Sequence, residues 1–268
     1  MGIFKRKLSK NDKQLIKLIE EEKNNLMHKS RDFYMLEAYK TLRTNINFSI
    51  TSDIEGGNVI AVTSALQSEG KSFNSINIAI SYAQTHKRVL LIDCDLRRPK
   101  VARLLNLKSE IGLSNVLVSP NLISNAIIET QIENMDVIIS GDIPPNPSEL
   151  LGSSRMEYIL KWAREKYDLI ILDTPPINMV TDTSVLSPII DGILFVIRAG
   201  KTERKEVIQA IDQLEYAQAK ILGFILNDID NNKNNYRYKK YRYKKYGKYH
   251  NYEYSYRQSV DNEQDGKK

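Results

Sequence analysis

Short apolar runs alternate with helical segments through the middle of the chain. Apolar runs of strand length recur at residues 58–64, 88–94, 135–140, 167–173, 192–198 and 220–227. Between most of them lie segments with helical character, for example 73–85, 148–166 and 202–219. Continuous apolar strands that alternate with helices predict a parallel sheet covered by helices on both faces. We therefore predict an α/β fold, with any ligand site at the carboxyl ends of the strands.

Three regions differ in composition. We assign residues 1–33 to an N-terminal helical or flexible segment, 34–227 to the folded domain and 228–268 to a C-terminal tail. The first 30 residues are rich in Lys, Glu and Asn and carry only a weak apolar stripe, which predicts an exposed or frayed helix. The tail holds nine of the fifteen tyrosines and almost no aliphatic residue. Such a segment cannot bury enough apolar surface to fold alone, so we predict a disordered tail.

The composition excludes several classes of protein. Of the 268 residues, 41% are hydrophobic and 27% charged, which is enough for a sizeable core. The single cysteine, Cys94, rules out a disulfide framework, and three scattered histidines disfavour a zinc site. The apolar runs are far shorter than the ~20 residues of a membrane-spanning helix. No signal-peptide pattern is visible, so we expect a soluble cytoplasmic protein.

The net charge of +6 is concentrated in the tail. Residues 233–257 contain nine Lys or Arg and one acid, a charge of +8, which leaves −2 for the rest of the chain. Electrostatic attraction of partners therefore concerns the tail. Tyrosines that alternate with Lys and Arg are also compatible with nucleic acid, but we disfavour that alternative because the motifs below account for the tyrosines.

A candidate phosphate-binding loop, TSALQSEGKS at residues 63–72, follows a predicted strand and opens a predicted helix. Backbone N–H groups of such a loop face phosphates, Lys71 reaches the β- and γ-phosphates, and the Ser72 hydroxyl binds Mg²⁺. Ala65 stands where the general pattern has its first glycine. An ordinary strand-to-helix turn that contains Gly70 is the alternative interpretation of this segment alone.

Acidic residues at the ends of two further strands favour the phosphate-binding interpretation. LLIDCDLRRP (90–99) carries Asp93 and Asp95, followed by Arg97, and LIILDTPP (169–176) carries Asp173. Acids where buried strands emerge are costly unless they bind a cation or a proton. A helix cap or a turn residue is the alternative for each acid by itself. Together with the loop, the acids predict a nucleotide–Mg²⁺ site in which Asp173 orients the metal.

These motifs resemble those of the bacterial tyrosine kinases of capsule and exopolysaccharide systems, in the form where the cytoplasmic kinase is a separate chain. The loop at 64–72 resembles the family's SxxPGEGKS, and residues 90–97 match its DxDxR strand. Residues 141–153 look like its PPNPSELL stretch, and residues 36–49 resemble its ExxRxxRTNI oligomerisation helix. The tyrosine-rich tail resembles its autophosphorylation cluster. A second lysine typical of partitioning and division-site ATPases is replaced by Leu66.

The resemblance implies a P-loop protein-tyrosine kinase that uses ATP and Mg²⁺. The implied catalytic residues are Lys71, Asp93, Asp95 and Asp173, and the implied metal ligands are Ser72, Asp93 and Asp173. The implied nucleotide-binding residues are Ser68, Glu69, Gly70, Lys71, Ser72, Phe73, Arg97 and Asn227. The implied oligomerisation residues are Glu37, Lys40 and Arg43. The implied autophosphorylation sites are Tyr236, Tyr238, Tyr241, Tyr243, Tyr246, Tyr249, Tyr252, Tyr254 and Tyr256.

Some roles stay open at this point. Asp93 and Asp95 are both candidates for the base that deprotonates the acceptor tyrosine. Arg97 either holds phosphate charge or pairs with Asp95, and Asn227 either contacts adenine or is a plain strand-end residue. A non-catalytic regulatory ATP-binding subunit is the alternative function.

Two residues of the loop depart from the family pattern. Gln67 and Ser68 replace Pro and Gly, which rigidify the loop and permit a positive φ. We therefore predict ATP binding weaker by about tenfold than the usual loop gives. Lys40 replaces the first arginine of the oligomerisation motif and lacks its bidentate fork, so a softer subunit contact is expected.

The resemblance also implies partners. These are a transmembrane polysaccharide co-polymerase that activates the kinase, an opposing phosphotyrosine phosphatase and further copies of the chain, in a ring if one forms. The activator would hold the kinase at the inner face of the membrane.

Overall fold

The computed structural model describes residues 17, 20–30, 32–50 and 55–229. Contacts divide the chain into two units, Met1–Ile229 and Asp230–Lys268. The second unit, with all nine tail tyrosines, lies outside the described residues, so the predictions made for the tail remain predictions. No helix in the described part of the chain combines the length and apolarity needed to cross a membrane.

The described elements follow the predicted alternation. The strands are β1 (Asn58–Ser64), β2 (Val89–Asp93), β3 (Ile128–Glu129), β4 (Met135–Ile138), β5 (Leu169–Asp173), β6 (Gly192–Arg198) and β7 (Ile221–Asn227). The first helix, α1, includes the described residues 20–24. The other helices are α2 (Phe33–Ser49), α3 (Lys71–Ala83), α4 (Val101–Leu105), α5 (Leu113–Val118), α6 (Ile123–Ala126), α7 (Pro147–Leu151), α8 (Ser154–Lys166), α9 (Asp182–Leu186) and α10 (Arg204–Tyr216).

The seven strands form one sheet in the order β3-β4-β2-β5-β1-β6-β7. All neighbouring pairs are parallel except β3 and β4, which are antiparallel. The prediction of a parallel α/β fold is confirmed. The two-residue edge strand β3 was not predicted, because so short a segment carries no periodic apolar pattern of its own.

The central strands are buried on both faces, as their continuous apolar runs predict. Side chains alternate along β1: Val59 and Ala61 join one core, while Ile60 and Val62 join the other. The first core packs under α5, α8 and α10, and the second under α2, α3 and α4. This double packing fixes the positions of the strand ends, where the functional side chains lie.

Two predictions about helices need correction. The segment 148–166, predicted as one helix, is two helices, because α7 ends before Gly152 and α8 begins at Ser154. Residues 1–30 were expected to be exposed or frayed, yet Leu26 and Met27 are buried in the second core. The Met27 N–H also donates to Asn77 Oδ1 on α3 at 2.7 Å. Burial of two adjacent apolar residues is a tertiary effect that a weak local stripe does not predict.

Candidate functional site

The loop between β1 and α3 has the backbone shape of a phosphate-binding loop. Gly70, the N-cap of α3, has φ +96°, and a Cβ there would lie 2.0 Å from Asn227 Nδ2. Only glycine fits this position. Ser68 has φ +61°, in the left-handed region where the family pattern has glycine. Ser68 therefore adopts the left-handed conformation whose cost for a residue with a side chain the sequence analysis predicts.

The loop is held by side chains from inside and outside it. Glu69 is buried, and its carboxylate accepts from the Leu66 N–H at 2.9 Å and from the Thr202 hydroxyl. Asn227 Nδ2, at the end of β7, donates to the Glu69 carbonyl oxygen at 2.9 Å. Asn227 is thus more than a plain strand-end residue, because it contacts the loop directly.

Strand register brings two of the predicted acids side by side. Asp93 and Asp173 are direct partners at the ends of β2 and β5, and both are fully buried. Lys71, the first residue of α3, is also buried, with 8% of its surface exposed. Charges from Asp173, Asp95 and Glu69 act on the Lys71 ammonium group. The structure therefore brings together the lysine and the three aspartates that were predicted from separate motifs.

Burial shifts the pKa values of this cluster. Burial raises the pKa of Asp93 well above its usual range, and the neighbouring Asp173 charge raises it further. Burial raises the pKa of Asp173 to about 6, although the nearby Ser72 hydroxyl and the Lys71 charge lower it. Burial lowers the pKa of Lys71, and the Asp173 charge opposes that shift. In each group the cost of burying the charge exceeds the stabilisation that its neighbours provide, and such shifts are typical of functional sites.

The donors fit a magnesium ion that also has phosphate and water ligands. Asp173 Oδ1 accepts from Ser75 Oγ at 3.0 Å, whereas Asp173 Oδ2 is buried without a hydrogen-bond partner. The described residues contain no group of three or more His, Cys, Asp or Glu that could hold a metal ion alone. Hydroxyl and carboxylate oxygens completed by phosphates and water suit Mg²⁺. The unpartnered oxygen marks where a cation would compensate the buried charge.

Arg97 pairs with an acid that neither alternative from the sequence names. Its guanidinium is bidentate on Asp182, with Nε to Oδ2 at 2.9 Å and Nη2 to Oδ1 at 3.1 Å. Of the two alternatives, pairing with Asp95 is replaced by pairing with Asp182, and contact with phosphate remains open. Ser148, from the PPNPSELL-like stretch, donates to the same Asp182 carboxylate. Asp182 is fully buried at the start of α9 and joins this stretch to the end of β2.

The remaining predicted residues lie at the site or on α2. Asp95 is half-buried just beyond β2, where its Oδ1 accepts from the Arg98 N–H at 2.9 Å. Ser72 and Phe73 are half-buried in the first turn of α3. On α2, Lys40 pairs with Glu37 at 2.7 Å on the exposed face.

Arg43 forms hydrogen bonds within its own chain. Its guanidinium donates to the carbonyl oxygen of Ser81 on α3, and to Ser81 Oγ at 3.1 Å. Because the structure contains one chain, the oligomerisation role of α2 remains a prediction.

Sequence reasoning missed Asp182, Arg198 and Thr202. Arg198, at the end of β6, donates from Nη1 to the Ser68 carbonyl at 3.1 Å, and Thr202 binds Glu69 as described above. Arg198 ends β6, and Asp182 and Thr202 lie in segments that follow the carboxyl ends of β5 and β6, which is the one signal that pointed to them. Their partners are set by tertiary packing, which the motifs do not encode.

Comparison with known proteins adds the family. The protein-family model described as "AAA domain" matches residues 57–223. Tyrosine-protein kinase YwqD of Bacillus subtilis is 41% identical over 192 residues, which cover 71% of this chain and 80% of that protein. The chain belongs to the bacterial tyrosine-protein kinases. The comparison therefore confirms the resemblance that the motifs of this kinase predict.

Two further comparisons agree. Tyrosine-protein kinase Etk of Escherichia coli is 38% identical over 194 residues, which cover 72% of this kinase but 26% of that protein. The solved Etk kinase domain gives a TM-score of 0.70 at 38% identity, covering 74% of this kinase and 76% of that chain. The solved structure of the chimerical protein CapA2B2 gives a TM-score of 0.71 at 32% identity. The match covers 79% of this kinase and 91% of that chain. The family fold thus extends over the described sheet.

Proposed function

We propose that this kinase transfers the γ-phosphate of ATP to tyrosine hydroxyls, including those of its own tail. One observation carries the proposal: Lys71 and the paired acids Asp93 and Asp173 meet at neighbouring strand ends beside a phosphate-binding loop. Phosphoryl transfer depends chiefly on positioning and on stabilising charge at the phosphates. A buried cation beside buried acids supplies both functions when a nucleotide and Mg²⁺ are bound.

The residues divide into two roles around the phosphates. The loop N–H groups from Ser68 to Phe73, the α3 N-terminus and Lys71 would bind the phosphate oxygens. Ser72, Asp93 and Asp173 would hold Mg²⁺ directly or through water, which neutralises charge on the phosphates. Because Mg²⁺ binds ionised carboxylates, its binding opposes the raised pKa of both acids.

The structure favours Asp95 over Asp93 as the base. Both Asp93 oxygens accept backbone hydrogen bonds, from the Asp95 N–H at 3.2 Å and the Val101 N–H at 3.1 Å, and the side chain is fully buried. Asp95 is half-buried and therefore open to an incoming hydroxyl. A tyrosine hydroxyl, with a pKa near 10, needs such a carboxylate within hydrogen-bond reach as the new bond forms.

The tail provides suitable acceptors. Its nine tyrosines lie among polar and basic residues in a segment of charge +8. Each phosphate adds about −1.5 to −2 charges, so a few modifications would reverse the sign of the tail. That reversal would switch its contacts with acidic partners, membrane lipids or neighbouring subunits.

The proposed setting is capsule or exopolysaccharide synthesis and export. The matched region makes up 26% of Etk, so the kinase part of that relative belongs to a longer polypeptide. We propose that a separate transmembrane co-polymerase activates this kinase at the inner face of the membrane. A phosphotyrosine phosphatase would reverse the reaction, and further copies of the chain would present tails to each other.

An in-vitro reaction tests the proposal. The full chain is incubated with ATP and Mg²⁺, with and without the cytoplasmic segment of the activator, and blotted for phosphotyrosine. We expect phosphotyrosine in the wild type and none in Lys71→Ala. Asp95→Asn should keep nucleotide affinity within about threefold but lose transfer, because it removes the base and not the phosphate contacts.

Two results would redirect the assignment. A chain that binds ATP but never forms phosphotyrosine, even with the activator, would be a regulatory ATP-binding subunit. A salt-dependent gel shift with single-stranded RNA, without phosphotyrosine, would instead favour nucleic-acid binding by the tail.

A further inference from the structure

The phosphate-binding loop lacks the two residues that the family pattern uses to shape it. Gln67 and Ser68 stand in place of Pro and Gly. Ser68 nevertheless has φ +61°, a conformation that costs free energy for any residue with a side chain. A strained residue persists only where its surroundings hold it in place. The contacts that hold Ser68 therefore bear on nucleotide binding.

Besides Thr202, which donates to the Glu69 carboxylate, three side chains from other segments reach this loop. Arg198 Nη1 donates to the Ser68 carbonyl oxygen at 3.1 Å, and Asn227 Nδ2 donates to the next carbonyl, that of Glu69, at 2.9 Å. Arg98 Nη1 donates to Gln67 Oε1 at 2.8 Å. Of these contacts, the one from Arg198 is made to the strained residue itself.

Arg198 is itself fixed by Asp228. Its Nε donates to Asp228 Oδ2 at 2.8 Å, and its Nη2 lies 2.7 Å from the same oxygen. Arg198 is the partner of Asn227 in the β6–β7 register, so β6 and β7 end side by side at the loop. A planar guanidinium can bind a carboxylate and a carbonyl at once, which a lysine ammonium group does with less directional precision.

We propose that Arg198 is a positioning residue for the nucleotide. Its guanidinium holds the Ser68 peptide in the left-handed conformation, so that the following N–H groups face the phosphates. Asp228 keeps the guanidinium at the Ser68 carbonyl. The inference rests on the proposed ATP-dependent function.

Nucleotide affinity in a double-mutant cycle tests the inference. The dissociation constant of a fluorescent ATP analogue with Mg²⁺ is measured for the full chain, Arg198→Gln, Ser68→Gly and the double variant. We expect Arg198→Gln to weaken binding by about tenfold, or about 1.4 kcal/mol. In the Ser68→Gly background the loss should be under about threefold, because glycine needs no help to reach a positive φ.

Further variants separate positioning from folding. Arg198→Lys should recover part of the affinity, and Asp228→Asn, at a side chain that is 55% exposed, should lose about threefold without unfolding the chain. Arg204→Gln, an exposed arginine at the start of α10, is the matched control and should bind as the wild type does. Thermal unfolding of each variant shows whether the chain remains folded.

The measured dissociation constants can overturn the proposed role of Arg198 in two ways. An unchanged dissociation constant in both Arg198→Gln and Asp228→Asn would overturn the inference. An equal loss with serine or glycine at position 68 would also overturn it, because Arg198 would then act otherwise than through Ser68. If the wild type binds no nucleotide at all, the proposed function fails and the inference fails with it. Normal binding in the wild type with no effect of these variants refutes the inference alone.

Discussion

Single residues decide how strongly this kinase can bind a nucleotide. Ser68 shows how far residue-level reasoning extends: the family pattern predicted a position that needs a positive φ, and the structure has φ +61° there. The contacts that compensate for Ser68 were not predictable, because Arg198 lies 130 residues away in sequence. Arg97 is similar, since its type and place follow from the motif but its partner Asp182 follows from packing.

Restoring the family residues in the loop should tighten nucleotide binding. We expect Gln67→Pro/Ser68→Gly to lower the dissociation constant of ATP–Mg²⁺ by about tenfold, because the strain at Ser68 is removed and the loop is stiffened. Isothermal titration calorimetry measures this constant directly. An equal or weaker affinity would mean that the present contacts already compensate fully for both substitutions.

Elements were predictable where their pattern is long and continuous. The six predicted strands match the structure to within two residues at each end, because buried parallel strands are read as unbroken apolar runs. The two-residue strand β3 and the break between α7 and α8 were missed, because each depends on a few residues without periodicity. The paired acids Asp93 and Asp173 followed from the strand ends, although their register did not.

The raised pKa of Asp173 predicts how stability depends on pH without nucleotide or metal. Its pKa is about 6 in the folded chain, above the 3.8 of an unperturbed aspartate. The folded state therefore binds more protons than the unfolded state between about pH 4 and 6, and stability rises as pH falls through this window. We expect a gain of about 1 kcal/mol from pH 7 to 5, measured by urea unfolding in a chelator.

The matched variant for this pH dependence is Asp173→Asn. Its stability should change less between pH 7 and 5, because the titrating group is gone. Stability of the wild type that is flat, or that falls as the pH is lowered from 7 to 5, would contradict the assignment of a raised pKa to this buried carboxyl.

Helix α2 is attached to α3 by Arg43. Its guanidinium bonds to Ser81 are partly buried, so Arg43→Ala should lower the free energy of unfolding by about 1.5–3 kcal/mol. Lys40→Ala is the control, because its exposed ion pair with Glu37 contributes less than about 1 kcal/mol. If Arg43→Ala keeps full stability and changes only the oligomeric state in solution, the arginine acts between chains as the resemblance implies.

At the scale of the whole molecule, the proposed function combines a sheet that would bind nucleotide with a tail that would offer tyrosine acceptors. The division is a prediction from composition, since apolar periodicity stops after Asn227. If the tail is disordered, as the sequence predicts, twenty of its residues would span roughly 25 Å, which would suit transfer to a neighbouring copy.

Transfer between copies has a direct test. A Lys71→Ala chain that carries an affinity tag is mixed with untagged wild type, ATP and Mg²⁺, and then purified through the tag. We expect phosphotyrosine on the tagged chain, because its own lysine is absent and a neighbouring site must act. Phosphotyrosine confined to the untagged chain would indicate transfer within one molecule.

The most direct test of the account is the location of the transferred phosphate. The full chain and its Lys71→Ala variant are incubated with ATP, Mg²⁺ and the activator's cytoplasmic segment, and modified residues are mapped by mass spectrometry. The account predicts phosphate on tyrosines between positions 236 and 256 in the wild type and on none of them in the variant. A wild-type tail that stays unmodified while ATP is bound, or a variant modified to the same extent, would contradict it.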